Sequence, residues 1–87
     1  MKKIVKHFGT TYFYKNSLLH REDGPAIEYM DGTKRWYKNG FLHREDGPAI
    51  EYADGKKDWY LDDKCYGDDD DFTNDSWIKF VKTLIFS

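Results

Sequence analysis

At 87 residues, with a formal net charge of −2, one cysteine and 18% aromatic side chains, the chain is sized for a single domain. The lone Cys65 excludes a secreted disulfide scaffold and fits a reducing cytosol. No apolar run approaches the roughly 20 residues that span a bilayer, and the overall charge implies neither nucleic-acid nor anionic-membrane binding.

In chain order, residues 1–11 come first. Lys2, Lys3 and Lys6 make this end basic, and Ile4 to Phe8 reads as a first strand. Residues 12–34 and 35–57 are then two copies of one unit, with 17 identities in 23 positions. The segment Leu19-His20-Arg21-Glu22-Asp23-Gly24-Pro25-Ala26-Ile27-Glu28-Tyr29 returns letter for letter from Leu42 to Tyr52. Residues used twice at one offset answer a structural demand met twice. Within each unit Asp31-Gly32 and Asp54-Gly55 separate strand-like runs and predict type I′ hairpin turns. Asn39-Gly40 predicts another, and Asn16-Ser17, its counterpart, a weaker one. Pro25 and Pro48 interrupt the pairing, since proline cannot donate to a ladder.

Residues 58–67 begin a third copy that decays, with Cys65, Tyr66 and Gly67 where Leu, His and Arg stood. Decay of this kind marks a terminal cap. Residues 68–75 read as an acidic loop. In residues 76–86 Trp77, Phe80, Val81, Leu84 and Ile85 fall on one helical stripe, with Thr73, Asn74, Asp75 and Ser76 as N-cap candidates. The expected fold is mainly β: an antiparallel meander of tandem 23-residue β-hairpin repeats, closed by one C-terminal helix that lies on the sheet.

Catalytic chemistry finds little support. His20 and His43 each precede Arg-Glu-Asp, yet two equal half-sites with no further ligand at metal spacing read as turn-side polar clusters, with Arg21/Asp23 and Arg44/Asp46 as ion pairs. Gly24-Pro25 and Gly47-Pro48 read as turn geometry. No phosphate-cradling loop, nucleophile elbow or zinc-ligand pair is present, so no cofactor, metal or catalytic residue is expected. Cys65 is expected to pack in place of Leu42. Two features remain for a partner. The acidic residues Asp62, Asp63, Asp68, Asp69, Asp70 and Asp71 form a candidate docking patch for a basic surface. Trp36/Tyr37 and Trp59/Tyr60 alternate, so one of each pair faces each side of the sheet, and the side away from the helix is expected to expose an aromatic row. The same row, with Lys15, Lys34, Arg35, Lys38, Lys56 and Lys57, defines the alternative of an RNA or single-stranded-DNA surface. Unpaired strand edges also allow a homodimer.

The pattern Trp36-Tyr37-Lys38-Asn39-Gly40-Phe41-Leu42-His43, with Asp54-Gly55 beyond it, distantly resembles MORN repeats, which run at the same period and build strings of β-hairpins. Arg44-Glu45-Asp46-Gly47-Pro48 departs from the Gly-x-Gly element of those repeats, so the segments within the period differ in length. More closely, residues 12–86 resemble small proteins of tailed bacteriophages with tandem His-Arg-Glu-Asp-Gly-Pro-Ala units. That resemblance implies a cytoplasmic, non-enzymatic accessory protein that binds and inhibits a host protein, such as a CRISPR or restriction defence system, a toxin or a polymerase.

Overall fold

The structure, a computed structural model, describes residues 1–86, the side chain of Phe86 excepted. The elements in order are β1 (Lys2–His7), β2 (Thr10–Lys15), β3 (Leu18–Leu19), β4 (Ile27–Glu28), β5 (Lys34–Arg35), β6 (Tyr37–Lys38), β7 (Phe41–Leu42), β8 (Ile50–Glu51), β9 (Lys57–Leu61), β10 (Lys64–Gly67) and α1 (Asn74–Phe86). Antiparallel pairing runs β1-β2-β4-β5-β8-β9-β10, with β3 beside β2 and β6–β7 as a separate hairpin. This is the mainly β hairpin meander with one C-terminal helix that the repeat predicts.

The period is explained by a strand that works twice. Thr11 and Tyr12 of β2 pair with β4, while Tyr14 and Lys15 pair with β3. In the second unit β5 pairs with β4 and β8, and β6 pairs with β7. In the third, Lys57 and Asp58 pair with β8, and Leu61 and Tyr60 with β10. Each unit is therefore one rung of a continuous ladder plus a projecting hairpin. Phe13 and Trp36 sit at the bend, where their N–H groups donate to the Ala26 and Ala49 carbonyls, each at 2.7 Å.

The turns divide differently from expectation. Asn39-Gly40 has positive φ at both positions (51° and 85°), as a type I′ turn requires. Asn16-Ser17 (52° and 68°) and Asp62-Asp63 (48° and 67°) adopt the same turn without glycine. The Asp-Gly pairs do not. Only Gly32 (96°) and Gly55 (91°) are left-handed there, and the Gly32 N–H donates to the Tyr29 carbonyl at 3.0 Å. Asp31 and Asp54 accept from the Thr33 and Lys56 N–H groups instead, at 2.9 and 3.0 Å. The aspartate side chains thus reinforce loops that the backbone also closes, through the left-handed glycine and its N–H bond to the Tyr29 or Tyr52 carbonyl.

Trp59, Trp77 and Val81 form the core cluster beneath the helix, with Leu61, Tyr66, Phe72 and Phe80 packed around it, and Ala26, Ile27, Ala49 and Ile50 are buried within the repeats. The helix starts at Asn74, two residues before the expected start at Ser76. Thr73 is its N-cap: the Ser76 N–H donates to Thr73 Oγ1 at 3.1 Å and the Thr73 N–H to Ser76 Oγ at 2.9 Å. The cap completes the repeat by substitution. Arg21 stacks over Phe13 and Arg44 over Trp36, each guanidinium carbon 3.9 Å from the ring centre. In the next register Gly67 replaces the arginine over Trp59, and the Trp77 ring lies against it instead, 5.5 Å between centres.

Candidate functional site

The sheet has two unlike sides. On the helix side, Lys6, Thr11, Glu28, Lys34, Glu51 and Lys57 stand in register across successive strands. From Glu28 to Lys57 glutamates and lysines thus alternate, and opposite charges face each other across the ladder. The repeated His-Arg-Glu-Asp loops lie on this side. Arg21 Nε donates to Asp23 at 3.0 Å and Arg44 Nε to Asp46 at 2.9 Å. Their Nη1 atoms donate to the Pro25 and Pro48 carbonyls, both at 3.2 Å. The expected turn-side ion pairs are present, and each arginine also binds its own loop backbone.

The histidines join one unit to the next. His20 Nδ1 accepts from the Asn39 N–H at 2.9 Å and His43 Nδ1 from the Asp62 N–H at 3.1 Å. With Nδ1 an acceptor, the proton of the neutral ring sits on Nε2, which faces Glu22 at 3.4 Å and Glu45 at 2.8 Å. Nδ1 thus holds the type I′ turn of the next unit, while Nε2 is engaged by the glutamate of the histidine's own loop. Nitrogen-15 NMR is expected to find both rings as the Nε2–H tautomer; a proton on Nδ1 of either would contradict this linkage. His20, only 7% exposed, is the more costly to remove. His20→Ala leaves the Asn39 N–H without its acceptor, and thermal unfolding is expected to register a loss of about 1–3 kcal/mol. Among the described residues no three His, Cys, Asp or Glu side chains gather as a cation site.

The opposite side is a tyrosine face. Val5, Tyr12, Ile27, Arg35, Ile50 and Asp58 form one row across it. Strand alternation puts Tyr14, Tyr37 and Tyr60 on the same side. Tyr29 joins them beside Arg35, whose guanidinium carbon lies 5.9 Å from its ring centre. Tyr52 joins through its hydroxyl, which donates to Asp58 Oδ2 at 2.6 Å. Six of the seven tyrosines therefore share one face. Ile27 and Ile50 are buried beneath them, while the six rings stay half-exposed.

The Tyr52–Asp58 bond has a titration signature. Hydrogen bonding to Asp58, then burial, then the Asp58 charge push the Tyr52 phenol from 10.0 up to about 12. A phenol raised in the folded state adds stability that is complete below pH ~10 and is lost as pH rises through about 12. Carbon-13 titration of the tyrosine ring carbons is expected to find Tyr52 ionising late, and Asp58→Asn to bring it back toward its ordinary value. No change in Asp58→Asn would contradict the bond.

The residues proposed from sequence scatter over this frame. Tyr37 and Tyr60 lie on the tyrosine face. Trp59 does not belong to any exposed row: it is 0% exposed, and its Nε1 donates to the Asp68 carbonyl at 2.9 Å. Trp36 lies on the helix side beneath Arg44. The exposed aromatic row is thus tyrosine, because helix and arginines cover the tryptophans. The acidic residues do not form one patch. Asp62 and Asp63 make the β9–β10 turn, where Asp63 Oδ1 accepts from the Leu42 N–H at 2.6 Å. Asp68 and Asp71 lie beyond the far end of β10, about 13 Å away at ~3.3 Å per strand residue. There Asp71 Oδ2 accepts from the Asp68 N–H at 2.8 Å and closes the loop. Asp69 and Asp70 are exposed. Cys65 is also exposed, not packed like Leu42, because β10 is an edge strand with no further unit to cover it.

Sequence reasoning missed Tyr12, Tyr14, Tyr29, Tyr52, Arg35 and Asp58 as one group. The signal was present in the repeat frame, where Tyr14, Tyr37 and Tyr60 recur at one spacing and Tyr29 and Tyr52 at the same spacing. No helix among the described residues is long and apolar enough to cross a membrane. The chain matches no protein-family model, no curated protein and no solved structure.

Proposed function

We propose that the chain is a non-enzymatic protein-binding module whose tyrosine face engages the partner. In the form that the resemblance to phage proteins suggests, it is a cytoplasmic accessory protein that binds and inhibits a host protein. The observation that carries this reading is the gathering of six half-exposed tyrosines around Arg35 on the side that the helix leaves open. Tyrosine supplies a large, rigid contact at small cost in conformational entropy, and tyrosine and arginine dominate interface hot spots. The histidines, by contrast, are held by backbone N–H groups and carboxylates, which suits a scaffold better than proton transfer.

A nucleic-acid surface fits less well. Backbone recognition needs a stripe of unneutralised cations. Lys34 and Lys57 project from the other side, each beside glutamate in the ladder.

Affinity capture from a bacterial lysate, with and without nuclease, tests the proposal. A stoichiometric protein is expected to survive nuclease and to be lost with the Tyr37→Ala/Tyr60→Ala double variant. Recovery of no such protein, or of material that nuclease removes, would overturn it.

A further inference from the structure

Arg21 and Arg44 each meet two carboxylates. Arg35 meets none: among the described residues it is the one arginine of three without an ion-pair partner. It lies mid-row on the tyrosine face, half-buried between Ile27 and Ile50, and its Nε is buried with no hydrogen-bond partner. The carboxylate that strand alternation places on this face is Asp58, two strands away, and the Tyr52 hydroxyl occupies its Oδ2 at 2.6 Å. The sheet thus holds a cation in partly apolar surroundings and ties its nearest same-face carboxylate to a phenol.

We propose that Arg35 is the anchor of the tyrosine face and that it receives a carboxylate from an aspartate or glutamate of the partner protein. This rests on the protein-binding reading above and names the chemistry that the partner must bring. A guanidinium presents a planar fork that fits a carboxylate bidentately. Half-buried among rings, it gains more from that charge than an exposed lysine would, because water screens it less. The tyrosines around it exclude water, and the hydroxyls other than that of Tyr52, which Asp58 holds, add donors for the second carboxylate edge. One guanidinium suits one carboxylate. It does not suit a polyphosphate backbone, which would meet Asp58 on the same face and the glutamates of the ladder on the other.

The test uses fluorescein-labelled hexaglutamate against the nitrogen-15-labelled full chain, with hexalysine and a deoxythymidine decamer as comparison probes. Hexaglutamate is expected to bind and to shift the amides of Arg35, Tyr37 and Tyr52. Arg35→Gln should weaken it roughly tenfold or more, and Arg35→Lys should fall between, keeping the charge without the fork. If Arg35→Gln does not fold, the wild-type footprint and Arg35→Lys decide. Shifts confined to the lysines of the helix side, affinity unchanged in Arg35→Lys, no binding of hexaglutamate, or tighter binding of the decamer would each overturn the anchor. If hexaglutamate fails while a captured protein is still lost with Tyr37→Ala/Tyr60→Ala, the anchor alone falls. If both fail, the tyrosine-face reading falls with it.

Discussion

Replacing Trp77 with alanine is expected to leave the chain largely unfolded. Trp77 is 0% exposed. Its ring meets Phe72 at 4.9 Å, Trp59 at 5.5 Å, Phe80 at 5.8 Å and Tyr66 at 5.9 Å, centre to centre. A buried Trp→Ala change costs about 3–5 kcal/mol. A single core in a domain of this size supplies only about 3–5 kcal/mol in all, so the two quantities nearly cancel. The indole also ties the helix to the second repeat, since Nε1 donates to the Arg44 carbonyl at 2.9 Å. Trp77→Phe keeps most of the ring and loses that bond, and should cost much less than Trp77→Ala. Chemical denaturation followed by circular dichroism separates these outcomes. A cooperative Trp77→Ala transition at the wild-type midpoint would mean that the helix does not close the core.

The second large effect is expected at Arg44. Its guanidinium stacks on Trp36 at 3.9 Å, donates to the Pro48 carbonyl at 3.2 Å, and reaches Asp46 and Glu51, each at 2.9 Å. Stacking contributes about 0.5–2 kcal/mol and hydrogen bonds to charged groups about 1.5–3 kcal/mol. The exposed Asp46 pair adds little. Arg44→Ala should therefore cost about 2–5 kcal/mol, and Arg44→Lys should recover only part, because an ammonium cannot stack and fork at once. Gly47 offers an independent check. A Cβ built there would lie 2.7 Å from Arg44 Cζ, so Gly47→Ala must push the guanidinium off its partners. Its penalty should shrink once Arg44 is alanine, which a double-mutant cycle measures. Additive penalties would show that glycine is needed there for some other reason. Arg21 should be less costly, since its ion pair to Glu28 is longer, 3.6 Å against 2.9 Å for Arg44 and Glu51.

Much of this architecture is legible in the sequence because the repeat states it twice. The offset between Leu19 and Leu42 sets the unit, and the loss of arginine at Gly67 marks where the array ends. The stripe from Trp77 to Ile85 gives the helix. The turn types were less legible. Asn16-Ser17 and Asp62-Asp63 lack glycine, and their left-handed backbone is held by tertiary bonds. The Met1 amino group donates to Asn16 Oδ1 at 2.7 Å, and the Asp62 N–H donates to His43 at 3.1 Å. Residue type alone does not report such bonds.

The candidate site was legible only in part. Alternation showed that Trp36 and Tyr37 face opposite sides, but not which side the helix takes. That choice is made in the third register, where Gly67 stands in place of the arginine and the Trp77 ring lies against Trp59. Once the helix takes the tryptophan side, the tyrosines are left as the open surface. The run of aspartates misled for a different reason. Close in sequence, Asp63 and Asp68 are separated by the strand β10, and Asp63 and Asp71 bind backbone N–H groups.

The most direct test compares two double variants in quantitative binding to whatever protein the wild-type chain captures. Tyr37→Ala/Tyr60→Ala alters the tyrosine face, and Asp69→Asn/Asp70→Asn neutralises the exposed acidic tip. Both should keep a wild-type circular dichroism spectrum. The tyrosine variant is expected to lose about 2 kcal/mol or more of binding free energy, and the aspartate variant to bind as wild type at physiological salt. Full binding by the tyrosine variant, with loss in the aspartate variant, would move the interface to the acidic loop and contradict the tyrosine face as the binding surface.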